Sequence, residues 1–405
     1  MLKLKLHWQI LISFCFAIVY GIFFSEYVGY VSWMGVLFLR ALKMVIIPLI
    51  LTSIISGIAN IGNAENLGRL GIKTMLYYMA TSILAILTGL FFVNLLKPGV
   101  GAELGLKEEV VGLNEASESF GDTLINIIPT NIISAMAENQ MLSIIFFALI
   151  FGYFISKVPH KNSVFLTNFF NSAFEVMMKI TMFVIKFTAF GIFGIVAKVV
   201  SEQSDLPELF GRLGIYMLAV ILGLLVHAFI SLPLLLRFVG KVNPLKHFSA
   251  VTTPLLTAFS TSSSSATLPL TMDAVKHKSG VSDKITSFTL PLGATINMDG
   301  TALYELVAAM FIAQAYGVEL GFFEQVIVVL TALLASIGAA GIPMAGLVMI
   351  TVILSAIDLP LEGVGLILAV DRVLDMFRTS VNCWSDTCGA VIIAKSEGEK
   401  LKVQT

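Results

Sequence analysis

Two segments in the carboxyl-terminal third of the chain place polar and ionisable side chains inside otherwise apolar sequence. The first, within residues 288–315, contains Asn297-Met298-Asp299-Gly300-Thr301 and Glu305. The second contains Asp371, Asp375, Arg378, Thr379, Asn382 and Asp386. Buried charges require opposite charges, hydrogen bonds or bound ions. These side chains therefore indicate a site that binds charged ligands.

The polar residues of the second segment are expected to lie on one face of a helix. At about 100° per residue, the six positions fall on a stripe about 100° wide. Its three carboxylates exceed its one guanidinium. Arg378 can bind one carboxylate through two parallel hydrogen bonds, and the other acids then need cations or an ammonium group. Arg372 is expected to point away from the stripe. A structural ion-pair network is the alternative interpretation.

A substrate that has both acidic and amine groups would complement this face. We expect Arg378 to bind a side-chain carboxylate and Asp375 to bind an ammonium group. Asp299 and Asp386 have amide and carbonyl oxygens as neighbours, without a histidine or thiolate cluster, which favours a hard monovalent cation over a transition metal. His227 is the only histidine predicted within a helix, and a packed, hydrogen-bonded role is expected for it.

The composition places these segments in a membrane protein. Of 405 residues, 57% are hydrophobic and 13% are charged, and the mean hydropathy is +0.92. Soluble domains have about a quarter of their residues charged. A net charge of −1 without a basic arm excludes a nucleic-acid-binding module. Cys15, Cys383 and Cys388 have neither disulfide nor zinc spacing and are expected to fill the apolar core.

Apolar runs long enough to span a bilayer, about 20 residues each, fill the first part of the chain. They lie near residues 8–26, 33–60, 73–96, 138–157, 165–200 and 209–238. Short loops rich in lysine and arginine remain in the cytoplasm, so Lys3 and Lys5 place the amino terminus there. The basic and acidic loops that follow alternate as this orientation requires.

Beyond residue 245 the apolar runs become short and interrupted. Residues 249–259 lead into a run of serine and threonine at 260–265, and a second short run ends at the basic residues 276–278. Residues 321–357 repeat this design around 336–343, with acidic flanks. Segments that enter and leave a membrane by the same face are tolerated where their turns line a cavity. This predicts two opposed re-entrant hairpins in an inverted repeat, with weakly hydrophobic spanning helices as the alternative.

Taken together, these segments resemble the dicarboxylate/amino acid:cation symporter family, which includes archaeal aspartate transporters, bacterial glutamate carriers and animal excitatory amino-acid transporters. The resemblance covers nearly the whole chain. Its most specific parts are Thr267-Leu268-Pro269 in the first tip, residues 297–304, the second tip, and residues 371–382. It implies an all-α polytopic membrane protein with eight transmembrane helices, two opposed re-entrant hairpins and inverted repeats. It also implies a homotrimer and an elevator-type movement of the hairpin-bearing domain.

The implied domains follow the chain. Scaffold helices 1 and 2 occupy residues 1–72, transport-domain helix 3 occupies 73–96, scaffold helices 4 and 5 with transport-domain helix 6 occupy 97–245 (boundary near 205), and the transport core occupies 246–405. In that core, hairpin 1, helix 7, hairpin 2 and helix 8 follow one another. The expected location is the plasma or bacterial inner membrane, with both termini in the cytoplasm.

The resemblance also implies binding residues position by position. Substrate contacts would be Ser263, Ser264, Met298, Thr301, Ile342, Gly346, Asp375, Arg378, Thr379 and Asn382. One sodium site would use backbone oxygens of Gly293, Asn297 and Asn382 with the Asp386 carboxylate. A second would use Thr295 with carbonyls of Ser336, Ile337 and Ala339, and a third would use Tyr78, Thr81, Ser82, Asn297 and Asp299.

Some positions depart from the family pattern. Ser262 and Met376 stand where members commonly have an arginine at one position or the other. The run Cys383-Trp384-Ser385-Asp386 replaces a small, glycine-containing stretch and is expected to alter a cation site. Glu305 matches glutamate in the animal transporters and glutamine in the archaeal ones. Because burial disfavours the charged form of a carboxyl group, Glu305 is expected to carry a proton.

The sequence therefore predicts a secondary active symporter, not an enzyme, that couples glutamate or aspartate uptake to sodium, with a proton as a further coupled ion. A C4-dicarboxylate carrier or a proton-only glutamate carrier of the same fold is the alternative. Asp375 disfavours the dicarboxylate carrier because it would repel a second carboxylate. An intramembrane aspartyl protease would need a glycine-flanked aspartate on a second helix that pairs with the first, and no such pair is recognised in the sequence. The fixed charge of Arg378 disfavours a cation channel.

Overall fold

The computed structural model describes residues 6–62, 68–101, 128–138, 140–202, 206–338, 345–357 and 359–404. Within these ranges the regular structure is helical, apart from an isolated bridge between Val242 and Gln404. The α-helices are α1 (Leu6–Phe23), α2 (Gly29–Gly62), α3 (Gly68–Leu96), α4 (Ile132–Ala137), α5 (Met141–Ile155), α6 (His160–Ile185), α7 (Thr188–Glu202), α8 (Leu206–Val226), α9 (Leu232–Phe238), α10 (Pro244–Thr261), α11 (Ser264–Ala274), α12 (Asp283–Ile296), α13 (Asp299–Ala315), α14 (Phe322–Gly338), α15 (Ala345–Ala356) and α16 (Val364–Ser396). The predicted all-α class is confirmed.

The amino-terminal helices pack around α2. Helices α5, α6 and α7 contact α2, and α1 lies against α7. Large apolar side chains are exposed along the outer faces of these helices, including Phe23, Phe165 and Phe183. Exposed apolar surface on this scale is typical of contact with lipid.

Helix α13 lies at the centre of the carboxyl-terminal half. Every residue from Asp299 to Ala313 is buried, and α3, α14, α15 and α16 all contact this helix. Helix α16 in turn contacts α8, α10 and α12. The two helices with ionisable residues are thereby enclosed by other helices, as charged groups at membrane depth require.

Each interrupted segment of the sequence forms a pair of helices in contact. Helices α10 and α11 are joined by Ser262 and Ser263 and pack on each other. Ser262 adopts a left-handed conformation with φ of 52°, and the Ser263 hydroxyl accepts a hydrogen bond from the Ala266 N–H, which caps α11. Helices α14 and α15 also contact each other. Most of the second predicted tip, residues 339–344, lies outside the described residues.

A π-helical turn, His227–Ser231, connects α8 to α9. In this turn the Leu232 N–H donates to the His227 carbonyl, five residues earlier. The same pattern would pair the Ala228 carbonyl with residue 233, but Pro233 has no N–H. The Trp384 indole N–H donates to the Ala228 carbonyl instead, at 3.0 Å. Such turns are rare and occur frequently at functional sites.

Length and composition identify four helices in the described part of the chain that are able to cross a membrane. They are Gly29–Asn60, Arg69–Leu96, Phe210–Phe238 and Asp283–Ala315. The span predicted over 165–200 consists of two helices, α6 and α7, which meet at a bend of 51° and together are long and apolar enough for one span. The bend lies at a tight turn between α6 and α7, in which the N–H groups of Lys186 and Phe187 donate to carbonyls three residues earlier. The count of eight spans and two re-entrant hairpins stays a prediction.

Two predictions about single residues are wrong. Cys15 lies on an exposed face of α1 and does not fill the core, whereas Cys383 and Cys388 are buried as expected. His227 is not the only histidine in a helix, because His247 lies buried in the first turns of α10. Helix α10 begins at Pro244, before the apolar run predicted over 249–259, because Asn243 caps it. A proline in the first turn is a favourable start for a helix.

Candidate functional site

The polar stripe on α16 is buried along its whole length. Asp371, Asp375, Arg378, Thr379, Asn382 and Asp386 each expose 5% of their surface or less. The predicted helical face is therefore turned into the protein, towards α12 and α13.

Arg378 connects two of the carboxylates. Its Nε donates to Asp375 Oδ1 at 2.8 Å, and its Nη1 donates to Asp371 Oδ1 at 3.1 Å. The guanidinium lies over the Tyr304 ring, 4.3 Å from its centre, in a cation–π contact. Arg378 thus does not form the predicted two-bond contact with one carboxylate, because that would leave the other buried acid unpaired. The ion-pair network considered from the sequence describes this part of the stripe.

Arg372 also differs from its prediction. Instead of pointing away from the stripe, its Nη1 lies 3.8 Å from Asp375 Oδ2, with 29% of the arginine side chain exposed. A long side chain three residues before Asp375 reaches the same face of the helix. Asp375 therefore lies between two guanidinium groups, with the shorter contact to Arg378.

Glycine residues allow the backbone to approach Arg378. A Cβ atom at Gly346, near the start of α15, would lie 2.7 Å from Arg378 Nη1 and 3.3 Å from the Thr301 methyl group. A Cβ atom at Gly300 would lie 2.5 Å from the Arg378 carbonyl oxygen. The second helix pair thus reaches the guanidinium of Arg378, and α13 reaches the Arg378 backbone, at positions that a side chain would block.

Asn382 joins α16 to the start of α13. Its Oδ1 accepts from the Gly300 N–H at 2.7 Å, and its Nδ2 donates to Thr301 Oγ1 at 3.1 Å and to Met298 Sδ at 3.3 Å. The Gly300 N–H belongs to the first turn of α13, where backbone donors lack partners within the helix. Three predicted substrate residues, Met298, Thr301 and Asn382, are thereby brought together.

The first helix pair supports the same region. Ser263 and Ser264 are buried at the turn between α10 and α11, and α10 packs on α16. Thr379 Oγ1 donates to Asp375 Oδ1 at 3.4 Å. Ile342, also predicted to contact substrate, lies outside the described residues.

Four donors from three other elements surround Asp299. Its Oδ1 accepts from Ser82 Oγ at 2.6 Å and Thr81 Oγ1 at 3.3 Å. Its Oδ2 accepts from Ser385 Oγ at 2.6 Å and lies 3.1 Å from His227 Nε2. Three residues predicted for the third sodium site are therefore in contact with one another. The hydrogen-bonded role predicted for His227 is also observed.

Asn297 lies between Asp299 and Asp386. Its Nδ2 donates to Asp386 Oδ1 at 2.9 Å and to Ser385 Oγ at 3.0 Å. Its Oδ1 accepts from Thr81 Oγ1 at 3.4 Å. The amide therefore donates to the Asp386 carboxylate and to Ser385, and its oxygen faces Thr81, which also contacts Asp299.

Gly293 and Tyr78 complete this group of oxygens. A Cβ atom at Gly293 would lie 2.5 Å from Asp386 Oδ1 and 2.7 Å from the Tyr78 hydroxyl oxygen. That hydroxyl donates to the Thr289 carbonyl at 2.7 Å. Two predicted cation sites, around Asp386 and Asp299, thus adjoin each other.

The residues predicted for the remaining sodium site are less closely gathered. Thr295 is exposed at the end of α12. Ile337, at the end of α14, packs in one cluster with Ile296, the residue after Thr295. Ser336 is buried beside it, and Ala339 lies outside the described residues.

Glu305 is buried one helical turn beyond Thr301 on α13. Neither of its carboxyl oxygens has a hydrogen-bond partner within the described residues. An ionised carboxylate without partners in such a place is costly. A proton on the Glu305 carboxyl group would remove this cost.

Three side chains contribute contacts that the sequence did not assign to the site. Ser385 bonds to Asp299, Trp384 donates to the π-helical turn, and Tyr304 lies under Arg378. The unusual run from Cys383 to Asp386 is a signal for the first two. Tyr304 had no signal, because an aromatic residue in an apolar helix is ordinary core.

Comparison with known proteins gives this arrangement a family. The model of the sodium:dicarboxylate symporter family matches residues 6–396. The chain belongs to this family. The resemblance inferred from the motifs is thereby confirmed, and so is the prediction of a membrane transporter rather than an enzyme.

Individual members of the sodium:dicarboxylate symporter family are similar over most of their length. Excitatory amino acid transporter 3 of Oryctolagus cuniculus is 35% identical, with 98% of this chain and 87% of that protein aligned. An excitatory amino acid transporter of Caenorhabditis elegans is 38% identical, with 90% and 81% aligned. The proton/glutamate-aspartate symporter of Escherichia coli is 34% identical, with 98% and 94% aligned.

Proposed function

We propose that this protein is a secondary active symporter that couples uptake of an acidic amino acid, glutamate or aspartate, to sodium. A proton bound by Glu305 is the further coupled ion. The observation that carries the proposal is the buried Arg378, which lies between two carboxylates and beside Gly346 and Thr301. An acidic amino acid offers a carboxylate for the guanidinium and an ammonium group for Asp375.

Recognition by exchange of partners explains why the site is stable without substrate. Arg378 is neutralised by Asp371 and Asp375, so the buried charge is never unpaired. A substrate carboxylate can replace the contact between Arg378 and Asp375, and Asp375 can then bind the substrate ammonium. A substrate without the amine would leave Asp375 beside two further negative charges.

Sodium coupling is supported by the oxygens around Asp299 and Asp386. Hydroxyl, amide and carboxylate oxygens are the ligands that hard cations prefer. The names of the similar animal proteins support an acidic amino acid as substrate. The name of the E. coli protein supports proton coupling, and together with the buried Glu305 it favours a proton-only carrier as the second candidate.

The proposal includes the membrane arrangement expected from the sequence. Eight spanning helices and two opposed re-entrant hairpins would enclose the site, with both termini in the cytoplasm. The carboxyl-terminal core, together with predicted transmembrane helix 3 (α3) and predicted transmembrane helix 6 (α8 and α9), would move as an elevator. The scaffold helices of a homotrimer would stay fixed. The contacts of α3, α8 and the two helix pairs with α13 or α16 support the grouping of these helices in the moving core.

Calorimetric titration of the purified protein tests the substrate class. Aspartate and glutamate are expected to bind in sodium buffer, whereas succinate and alanine are not. Replacement of sodium by choline is expected to remove the binding. Binding of succinate as tight as that of aspartate would favour a C4-dicarboxylate carrier and contradict the proposal.

A further inference from the structure

Hydrogen bonds connect the two carboxylates of the candidate sodium sites through Ser385. Asp386 Oδ1 accepts from Asn297 Nδ2 at 2.9 Å, and the same nitrogen donates to Ser385 Oγ at 3.0 Å. Ser385 Oγ then donates to Asp299 Oδ2 at 2.6 Å. All four side chains expose 3% of their surface or less. The connection is therefore continuous and removed from water or lipid.

The directions of these hydrogen bonds are determined by the chemistry of the groups. The amide nitrogen of Asn297 has two hydrogens and the Ser385 hydroxyl has one. Both amide hydrogens are used, so the Asn297 oxygen points the other way, towards Thr81 Oγ1 at 3.4 Å. Because Ser385 accepts from Asn297 and donates to Asp299, its oxygen keeps one lone pair for a further contact.

The π-helical turn His227–Ser231 holds this part of α16 in place. The Trp384 indole donates to the Ala228 carbonyl at 3.0 Å, and the Trp384 ring stacks on His247 with centroids 5.3 Å apart. His227 Nε2 lies 3.1 Å from Asp299 Oδ2, the oxygen that Ser385 also contacts. Contacts from outside α16 therefore hold both Trp384, the residue before Ser385, and Asp299, the acceptor of the Ser385 hydroxyl.

We propose that Ser385 is a positioning residue that couples sodium binding at Asp386 to sodium binding at Asp299. It orients the Asn297 amide so that the amide oxygen faces the Asp299 site. A cation bound at Asp386 then stabilises the Asn297 amide in the orientation that also suits cation binding at Asp299. The inference rests on the proposed function, since it presupposes that these carboxylates bind sodium.

Loss of the Ser385 hydroxyl has a defined consequence. Asn297 loses the acceptor of one N–H group and keeps only its contacts with Asp386 and Thr81, so its oxygen is held less firmly near Thr81. Partners that orient metal ligands typically change metal affinity by about 10-fold or more when they are removed. The two sites would also lose the group that they share, so binding at one would no longer favour binding at the other.

Binding of radiolabelled sodium to the purified full chain, without amino acid and with choline to keep the ionic strength constant, tests this role. The wild type is expected to bind cooperatively. For Ser385→Ala we expect the half-saturating sodium concentration to rise about 10-fold and the Hill coefficient to fall to about 1. Ser385→Thr keeps the hydroxyl and is expected to restore cooperative binding.

Ser380→Ala is the matched control, because this hydroxyl of the same helix donates to the Leu255 carbonyl at 3.0 Å. Its isotherm is expected to match that of the wild type. If Ser385→Ala does not fold, Ser385→Cys replaces it with a weak donor of similar size and the same expected loss of cooperativity. A wild-type isotherm in Ser385→Ala, or in Ser385→Cys where the alanine variant does not fold, would overturn the inference alone. A wild type that binds no sodium would overturn the proposed function as well.

Discussion

Arg378 is the buried positive charge of the site, and its removal tests which substrate group it binds. In Arg378→Cys the remaining acids would repel a substrate carboxylate. We expect aspartate affinity to fall by about 100-fold or more and small neutral amino acids to be admitted. Competition binding with labelled aspartate and alanine measures both. Arg372→Cys removes a more exposed arginine with a longer contact to Asp375 and should have a much smaller effect. Unchanged aspartate affinity in Arg378→Cys would contradict the assignment.

Asp375 distinguishes an amino acid from a plain dicarboxylate at the same scale. Asp375→Asn keeps the size of the side chain and removes the charge that the substrate ammonium needs. Aspartate affinity should therefore fall by about 100-fold or more, as calorimetry would measure. Asp273→Asn changes an exposed aspartate that bonds to His277 and should bind aspartate normally. Tight malate binding by the parent protein would show that Asp375 has another role.

Glu305 is expected to link substrate binding to pH. When pH rises and its carboxyl group loses the proton, a buried negative charge without partners appears beside the site, so substrate affinity should fall at alkaline pH. Glu305→Gln resembles the protonated form and should bind substrate with an affinity that no longer depends on pH. Glu175→Gln, at an exposed glutamate paired with Lys179, should keep the wild-type profile. A wild-type pH profile in Glu305→Gln would exclude Glu305 as the proton carrier.

At the scale of helices, periodicity predicted which face of α16 is polar but not what meets it. Six positions spaced for one helical face are buried together, as predicted. The sharing of Arg378 between Asp371 and Asp375 depends on distances within the folded helix, and the contact of His227 with Asp299 depends on packing between distant segments. A pattern within one helix has no information about such partners.

The π-helical turn illustrates the same limit. Pro233 alone signals an irregular helix, but its consequence is that the Ala228 carbonyl accepts from Trp384, 156 residues away. Only the packing of α8 against α16 brings the two groups together. Local sequence rules therefore identify the interruption and not its partner.

Close packing between α13 and α16 makes Gly300 sensitive to substitution. In Gly300→Ala the added methyl group would lie 2.5 Å from the Arg378 carbonyl oxygen, and backbone cannot move aside as a flexible side chain can. We expect a loss of stability of about 1–3 kcal/mol and weaker substrate binding, since Asn382 bonds to the Gly300 N–H. Thermal unfolding in detergent and calorimetry measure these effects.

The control for this substitution is Gly214→Ala in α8, where an added Cβ atom has no neighbour within 4 Å. This variant should retain the unfolding temperature and the substrate affinity of the wild type. A Gly300→Ala variant that behaves in the same way would mean that α13 and α16 are packed less tightly than the structure indicates.

For the whole molecule, composition and the interrupted apolar runs predicted a helical membrane protein, and the motifs at residues 267–269, 297–304 and 371–382 indicated its family. The low share of charged residues and the interrupted apolar runs are properties of many residues together. A wrong prediction about one residue therefore does not change the conclusion drawn from them. The bend between α6 and α7 was not predicted, because it depends on hydrogen bonds at Lys186 and Phe187 and not on apolar content. Similarly, hydropathy did not reveal that Cys15 lies on an exposed face.

Concentrative uptake into proteoliposomes is the most direct test of sodium-coupled transport by the whole molecule. Labelled aspartate is supplied outside while sodium and proton gradients are imposed independently. An inward sodium gradient is expected to accumulate aspartate inside against its own gradient, and lithium should substitute poorly. An inward proton gradient in the absence of sodium should produce no accumulation. Accumulation driven by the proton gradient alone would contradict sodium coupling and would require another role for the oxygens around Asp299 and Asp386.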